Sequence, residues 1–189
     1  TGSIAVAVPA AIAAGGLFGF VLAFYAVTLG ANQVVVGIAM NLVAVGVTSF
    51  FYRLIFGAGT DRPRIDTLLP PDFGPLTDWP LIGPLLFRQD ALAFLALALV
   101  PLTWFVIART RFGLDIRAVG EHPEAAETLG VDVARIRYGA VAISSGLAAF
   151  GGATLSLAAT GVFLDGMTSG RGYIALAILI LGRRHPLGV

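Results

Sequence analysis

Fifty-two residues pass before the first charged side chain, Arg53. An uncharged run of that length cannot coat a water-soluble surface, because ordinary domains draw about a quarter of their residues from Asp, Glu, Lys and Arg. Over all 189 residues the charged share is 12% and the hydrophobic share 57%, with a mean hydropathy of +0.89. The chain is therefore expected to be an integral membrane protein. A net charge of +1 supplies no electrostatic footprint for nucleic acid. The first apolar run lacks the basic flank of a signal peptide and exceeds the length of its apolar core. Because the chain opens without Met inside an apolar run and stops at Arg183-Arg184-His185-Pro186-Leu187-Gly188-Val189 with no closing helix, it reads as a segment of a longer protein.

Crossing a hydrocarbon core takes about 20 apolar residues in a helix. Four stretches meet or approach that length, over residues 4–27, 33–56, 91–108 and 138–160. A fifth, 172–181, holds ten residues and is too short to cross, so it dips in or continues as a broken helix. The fold class expected is all-α, a polytopic transmembrane helical bundle with a cytoplasmic coupling helix. Segment 109–137 carries five arginines and segment 57–90 carries three. Basic residues mark the cytoplasmic side, so 109–137 is expected inside and 57–90 outside. Six of the ten prolines fall in 57–90, which rules out a regular helix there.

Three stripes recur inside the spans. In the first, Ala7, Ala11, Gly15, Gly19 and Ala23 form a small-residue ridge of the kind that lets helices approach closely in lipid, and a packing face is expected. In the second, Gln33, Gly37, Asn41, Ala44 and Thr48 share one face, which either hydrogen-bonds to another helix or lines a translocation path. In the fourth, Ser145, Ala149, Gly152, Ser156 and Thr160 read as packing.

No span carries an ionisable residue away from its ends. Ion- or proton-coupled carriers place such groups at membrane depth, and an intramembrane hydrolase needs a nucleophile with a base or paired carboxylates. Both histidines, His122 and His185, lie in polar loops. The absence of cysteine excludes disulfides, thiolate metal sites and cysteine nucleophiles, and no metal-ligand spacing occurs. No catalytic residue, metal or cofactor is expected.

The polar segment from Arg109 holds the grammar of a short helix. Pro123 suits the first helical position, Glu124 and Glu127 sit near the positive helix start, and Gly130 suits the left-handed residue that ends a helix. Residues 123–129 make about two turns, too few to persist alone in water, so the helix needs something to dock against. A solvated connector is the alternative, since five acids balance the five arginines there.

The run Arg117-Ala118-Val119-Gly120-Glu121-His122-Pro123, followed by Glu124-Ala125-Ala126 and then Gly130, resembles the cytoplasmic loop of ABC importer permeases, in the branch serving simple sugars, nucleosides and branched-chain amino acids. Gly30-Ala31-Asn32-Gln33-Val34-Val35, Met40-Asn41-Leu42-Val43-Ala44 and Gly172-Tyr173-Ile174-Ala175-Leu176-Ala177-Ile178, leading to Gly182-Arg183-Arg184-His185-Pro186, are similar to the same branch.

The resemblance implies a multi-pass plasma (inner) membrane permease of bacterial type, importing a nucleoside or simple sugar and using no cofactor. It also implies partners: a cytoplasmic ATPase subunit, a second permease copy or sister, an extracytoplasmic substrate-binding protein and the lipid bilayer. Gly120, Glu121, His122, Pro123, Glu124, Ala125, Ala126, Glu127 and Gly130 would form the ATPase-coupling element, with both alanines allowing close approach. Asn32, Gln33, Gly37, Asn41 and Thr48 would lie along the substrate path. Gln33 stands where the family pattern has Glu, and the longer form of the Glu-Ala-Ala motif is not continued. An ion- or proton-coupled carrier, and an intramembrane enzyme with its active site outside this segment, are the competing functions.

Overall fold

A computed structural model describes residues 2–57, 90–164 and 166–182. The expected proline-rich segment, apart from Gly57 and Asp90, and the closing stretch 183–189 lie outside these residues. All regular structure among the described residues is helical. Four helices are long and apolar enough to cross a membrane. Much of their surface is apolar, with Leu17, Leu42, Phe50, Leu54, Leu97 and Phe105 all exposed. Water would not tolerate so large an apolar area; lipid does. The protein is a multi-pass membrane protein.

Helix α1 (Gly2–Ala23) runs into a π-turn (Phe24–Thr28), and α2 (Gln33–Phe56) follows after a tight corner. Helix α3 (Ala91–Arg109) leads into α4 (Arg111–Glu121) and α5 (Pro123–Thr128). Helix α6 (Val133–Thr154) ends in a second π-turn (Leu155–Thr160), and α7 (Arg171–Leu181) closes the described chain. At 1.5 Å per residue the eleven residues of α7 span about 16 Å, short of a bilayer core.

The centre of the bundle is an antiparallel seam between α1 and α6. A Cβ added at Gly15 would strike Ala149 Cβ and stand 2.8 Å from the Ser145 carbonyl oxygen. One added at Gly19 would stand 2.5 Å from Ser145 Oγ and 2.6 Å from Ser145 Cβ. Only glycine leaves room for that approach, and in lipid such close contact supplies the dispersion that holds helices together. Ala23 is fully buried at the end of the same ridge, so the first stripe packs as expected. At the other end Ala7, Val8 and Ala11 meet a core of Leu92, Phe150, Ala153 and Leu157, which brings in α3.

The fourth stripe packs as expected at Ser145 and Ala149, which Gly15 and Gly19 approach across the seam. Ser145 and Ala149 border the seam, but the buried line of α6 is Gly146, Phe150, Ala153 and, in the following π-turn, Leu157. A Cβ at Gly152 would meet nothing within 4 Å. Small and hydroxylated residues mark where a helix tolerates a neighbour, whereas Phe150 and Leu157 fill the space. The π-turn also carries one extra residue per turn, so a stripe drawn at fixed spacing across it leaves its face. Helix α6 begins five residues before the expected span, because Asp132 caps it by accepting from Arg135 N at 3.0 Å. A helix need not stop where its apolar residues do.

Candidate functional site

The residues expected to couple lie together at one end of the bundle, where α3, α4, α5 and α6 meet. Helix α4 is an element that spacing had not revealed. Thr110 starts it by accepting from Gly113 N at 3.2 Å while donating to Val106 O at 2.6 Å, so one hydroxyl both ends α3 and caps α4. Gly113 is buried against the last turn of α3, where a Cβ would strike the carbonyl oxygens of Val106 and Ile107. Val119 is buried too, and the ring of Phe112 lies over Gly139 of α6. A threonine cap followed by Phe112, Ile116 and Val119 at spacings of four and three was the available signal; the charges scattered among them hid it.

Helix α5 matches the expected short helix. His122 sits between α4 and α5 in a non-helical conformation, its carbonyl accepting from Ala126 N at 3.0 Å, and Pro123 follows at the first position. At the other end Gly130 has φ +83°, its N–H donates to Glu127 O at 2.9 Å, and Val131 N donates to Ala126 O at 3.1 Å. Those two bonds around a left-handed glycine form a Schellman cap, which satisfies carbonyls a six-residue helix would otherwise leave open.

The burial pattern divides the expected coupling residues. Glu121, His122, Glu124, Ala125 and Glu127 are exposed, as are Gly120 and Gly130, while Pro123 is half-buried. Ala126 is only 2% exposed, turned against its own chain. It is therefore buried where α5 packs on α4 and α6, while Ala125 is the exposed alanine of the pair. Two adjacent alanines do not reveal in sequence which one faces inward. His122, Pro123, Glu124 and Ala125 border an open cleft of about 380 Å³ beside the helix.

The expected path residues start at this same end. Thr28, closing the π-turn, and Asn32, opening α2, are separated by a three-residue corner in which Ala31 N donates to Tyr25 O at 3.1 Å. The side-chain oxygen of Asn32 accepts from Val34 N at 2.9 Å and from Val35 N at 3.5 Å. Asn32 is thus the cap of α2. Replacing it with alanine is expected to lower stability by about 1 kcal/mol, seen as a drop in melting temperature in detergent; Asn32→Ser should retain most of it.

Gln33 borders a second cleft of about 350 Å³, shared with Ala26, Gly120, Ile136 and Arg137. The structure so places Gln33 and Gly120, one from each expected set, on a single cavity. Farther along α2, Gly37 is half-buried and Asn41 and Thr48 are exposed. The Thr48 hydroxyl bonds back to Ala44 O at 2.7 Å. Among the described residues the Asn41 side chain makes no hydrogen bond, and α2 has no buried residue. Among the described residues no interhelical hydrogen bond engages Gln33, Asn41 or Thr48.

A family model described as "Branched-chain amino acid transport system / permease component" matches residues 1–189. The chain belongs to this permease family. A guanosine ABC transporter permease protein of Bacillus subtilis is 41% identical over 184 residues, 95% of this chain and 56% of that protein. A putative glucose ABC transporter permease protein of Haloferax volcanii is 41% identical over 180 residues, 93% of this chain and 53% of the relative. A nucleoside ABC transporter permease protein of Lactococcus lactis is 36% identical over 176 residues, 92% and 55% respectively. The chain spans about half the length of these curated relatives. No solved structure matches it. The resemblance carried by the loop residues thus extends along the whole permease segment.

Proposed function

We propose that the chain is part of the permease subunit of an ATP-driven importer in the plasma (inner) membrane, carrying a nucleoside or a simple sugar. The observation that carries this reading is the short capped helix α5 in a chain of this family, one side docked through Ala126 and the other presenting Glu124, Ala125 and Glu127 outward. A cytoplasmic ATPase subunit grips that outer side, and its nucleotide-driven closure moves the bundle. The five arginines of 109–137 support a cytoplasmic position for this end, and the proline-rich segment then lies outside. A second permease subunit and an extracytoplasmic binding protein complete the assembly. Spans without ionisable residues between their ends fit a power source in a separate subunit. The solute classes follow from the relatives named for guanosine, nucleosides and glucose, and Asn and Gln side chains suit hydroxyls and base edges.

The test places a cysteine at Ala125 of the full-length permease and another in the permease-facing cleft of its ATPase. Disulfide formation that changes with ATP is the expected result. A residue 125 reactive only from outside the cell, with no crosslink, would overturn both orientation and coupling.

The stripe on α2 is assigned to the path through Gln33, Gly37, Asn41 and Thr48, with Asn32 capping its start. Asn41→Leu is expected to lower uptake of radiolabelled guanosine or glucose by about three- to tenfold, the range one intramembrane polar contact supplies. Unchanged uptake of both solutes would return the stripe to packing.

A further inference from the structure

We propose that the Tyr138–Thr28 pair carries movement of the loop end into the first turn of α2; the inference rests on the coupling role proposed for α5. Tyr138 stands little more than a turn into α6, just beyond the connection from α5. Its hydroxyl is 2.5 Å from Thr28 Oγ1, across 110 positions of sequence. Its ring lies beside Phe20 of α1 with centroids 6.1 Å apart.

Thr28 is the last residue of the π-turn, where Leu29 N donates to Phe24 O at 3.2 Å. A π-turn inserts one residue into a helix and re-aims the chain beyond it, and such turns occur often at functional sites. From Thr28 to α2 the chain has little slack. Ala31 N is tied to Tyr25 O, and Asn32 is tied to the α2 backbone through its cap. A displacement of the α6 start that carries the Tyr138 hydroxyl therefore reaches Gln33 through hydrogen bonds and one short corner. Gln33 is the first residue of the stripe assigned to the path, and the cleft it borders is walled by Gly120 and Arg137 from the loop side. The seam between α1 and α6 holds the two helices together; the hydroxyl pair ties the corner beyond the seam.

The experiment uses the full-length permease assembled with its ATPase in vesicles, and reads the rate at which a water-soluble maleimide modifies a single cysteine, with and without ATP. Val35→Cys reports the first turn of α2, where Val35 is exposed, and Ala125→Cys reports the docked helix. ATP is expected to change the rate at both positions. Tyr138→Phe keeps the ring against Phe20 and removes only the hydroxyl; it is expected to shrink the response at 35 by roughly three- to tenfold, the effect of losing one hydroxyl pair, while leaving the response at 125. Thr28→Val should do the same, Thr28→Ser should retain the response, and the double variant should be no worse than either single one. A response at 35 that survives Tyr138→Phe, or that is absent in the otherwise unsubstituted chain while 125 responds, overturns the link alone. No response at 125 means the coupling reading has failed, and the link falls with it.

Discussion

Gly19→Leu is expected to remove most of the folded protein from the membrane. The seam between α1 and α6 is so close at this point that even the first carbon of a side chain would stand 2.5 Å from Ser145 Oγ and 3.2 Å from the Val141 carbonyl oxygen. Ser145 is on a helix held by the core at Phe150 and Ala153, so it cannot step aside without opening that core. Overpacking a well-filled interior costs about 1–3 kcal/mol, and a branched side chain in so close a contact sits at or beyond the top of that range. The loss is read as a collapse in monodisperse yield and melting temperature in mild detergent. Gly19→Ala should show a smaller version of it, and Ser145→Gly should restore much of the stability of Gly19→Ala, because the side-chain atoms it strikes are gone. A Gly19→Leu protein that melts like the parent would show that α1 and α6 do not meet as described.

Ala126→Arg is expected to abolish uptake while leaving insertion in the membrane intact. Its side chain is 2% exposed, and a helix of six residues has no stability of its own to draw on. An arginine there must either bury an unpaired charge, at several kcal/mol, or lift α5 off α4 and α6. The second course costs less, and it destroys the surface that the ATPase is proposed to grip. Ala125→Arg separates the two roles, because Ala125 is exposed and its replacement leaves the helix seated. Both variants should lose uptake, but only Ala126→Arg should speed cleavage after Glu124 and Glu127 by a glutamate-specific protease. Gly130→Pro should resemble Ala126→Arg, since it removes the N–H that bonds Glu127 O and forbids the positive φ of the cap. Normal uptake by Ala126→Arg would sink the coupling assignment for α5.

Much of this molecule was legible in the chain because membrane folding imposes constraints that composition carries openly. Lipid requires apolar residues over a bilayer's thickness, so residues 33–56 predicted α2 residue for residue, and the third span missed only Arg109. The caps of α5 were equally plain, since Pro123 and Gly130 each suit one helical position for reasons local to their backbones. The ridge from Ala7 to Ala23 was legible for a similar reason: nothing but a close neighbour calls for so regular a line of small residues.

What required the tertiary structure was every choice between equivalent local options. Ala125 and Ala126 are the same side chain one position apart, and only the packing of α5 on α4 and α6 turns Ala126 inward. Ser145 and Gly146 both look like seam residues, and which of the two is buried depends on where Phe150 and Leu157 find space. Thr28 and Tyr138, 110 positions apart, carry no sign in the sequence that they meet. Local backbone preference and the demands of lipid act on residue types and spacings, so the sequence by itself determined the four spans, the caps of α5 and the resemblance to the family. Contacts depend on how two helices rotate and register against one another, a property of neither alone; the tertiary structure therefore decided which faces are free and which residues join the loop end to the start of α2.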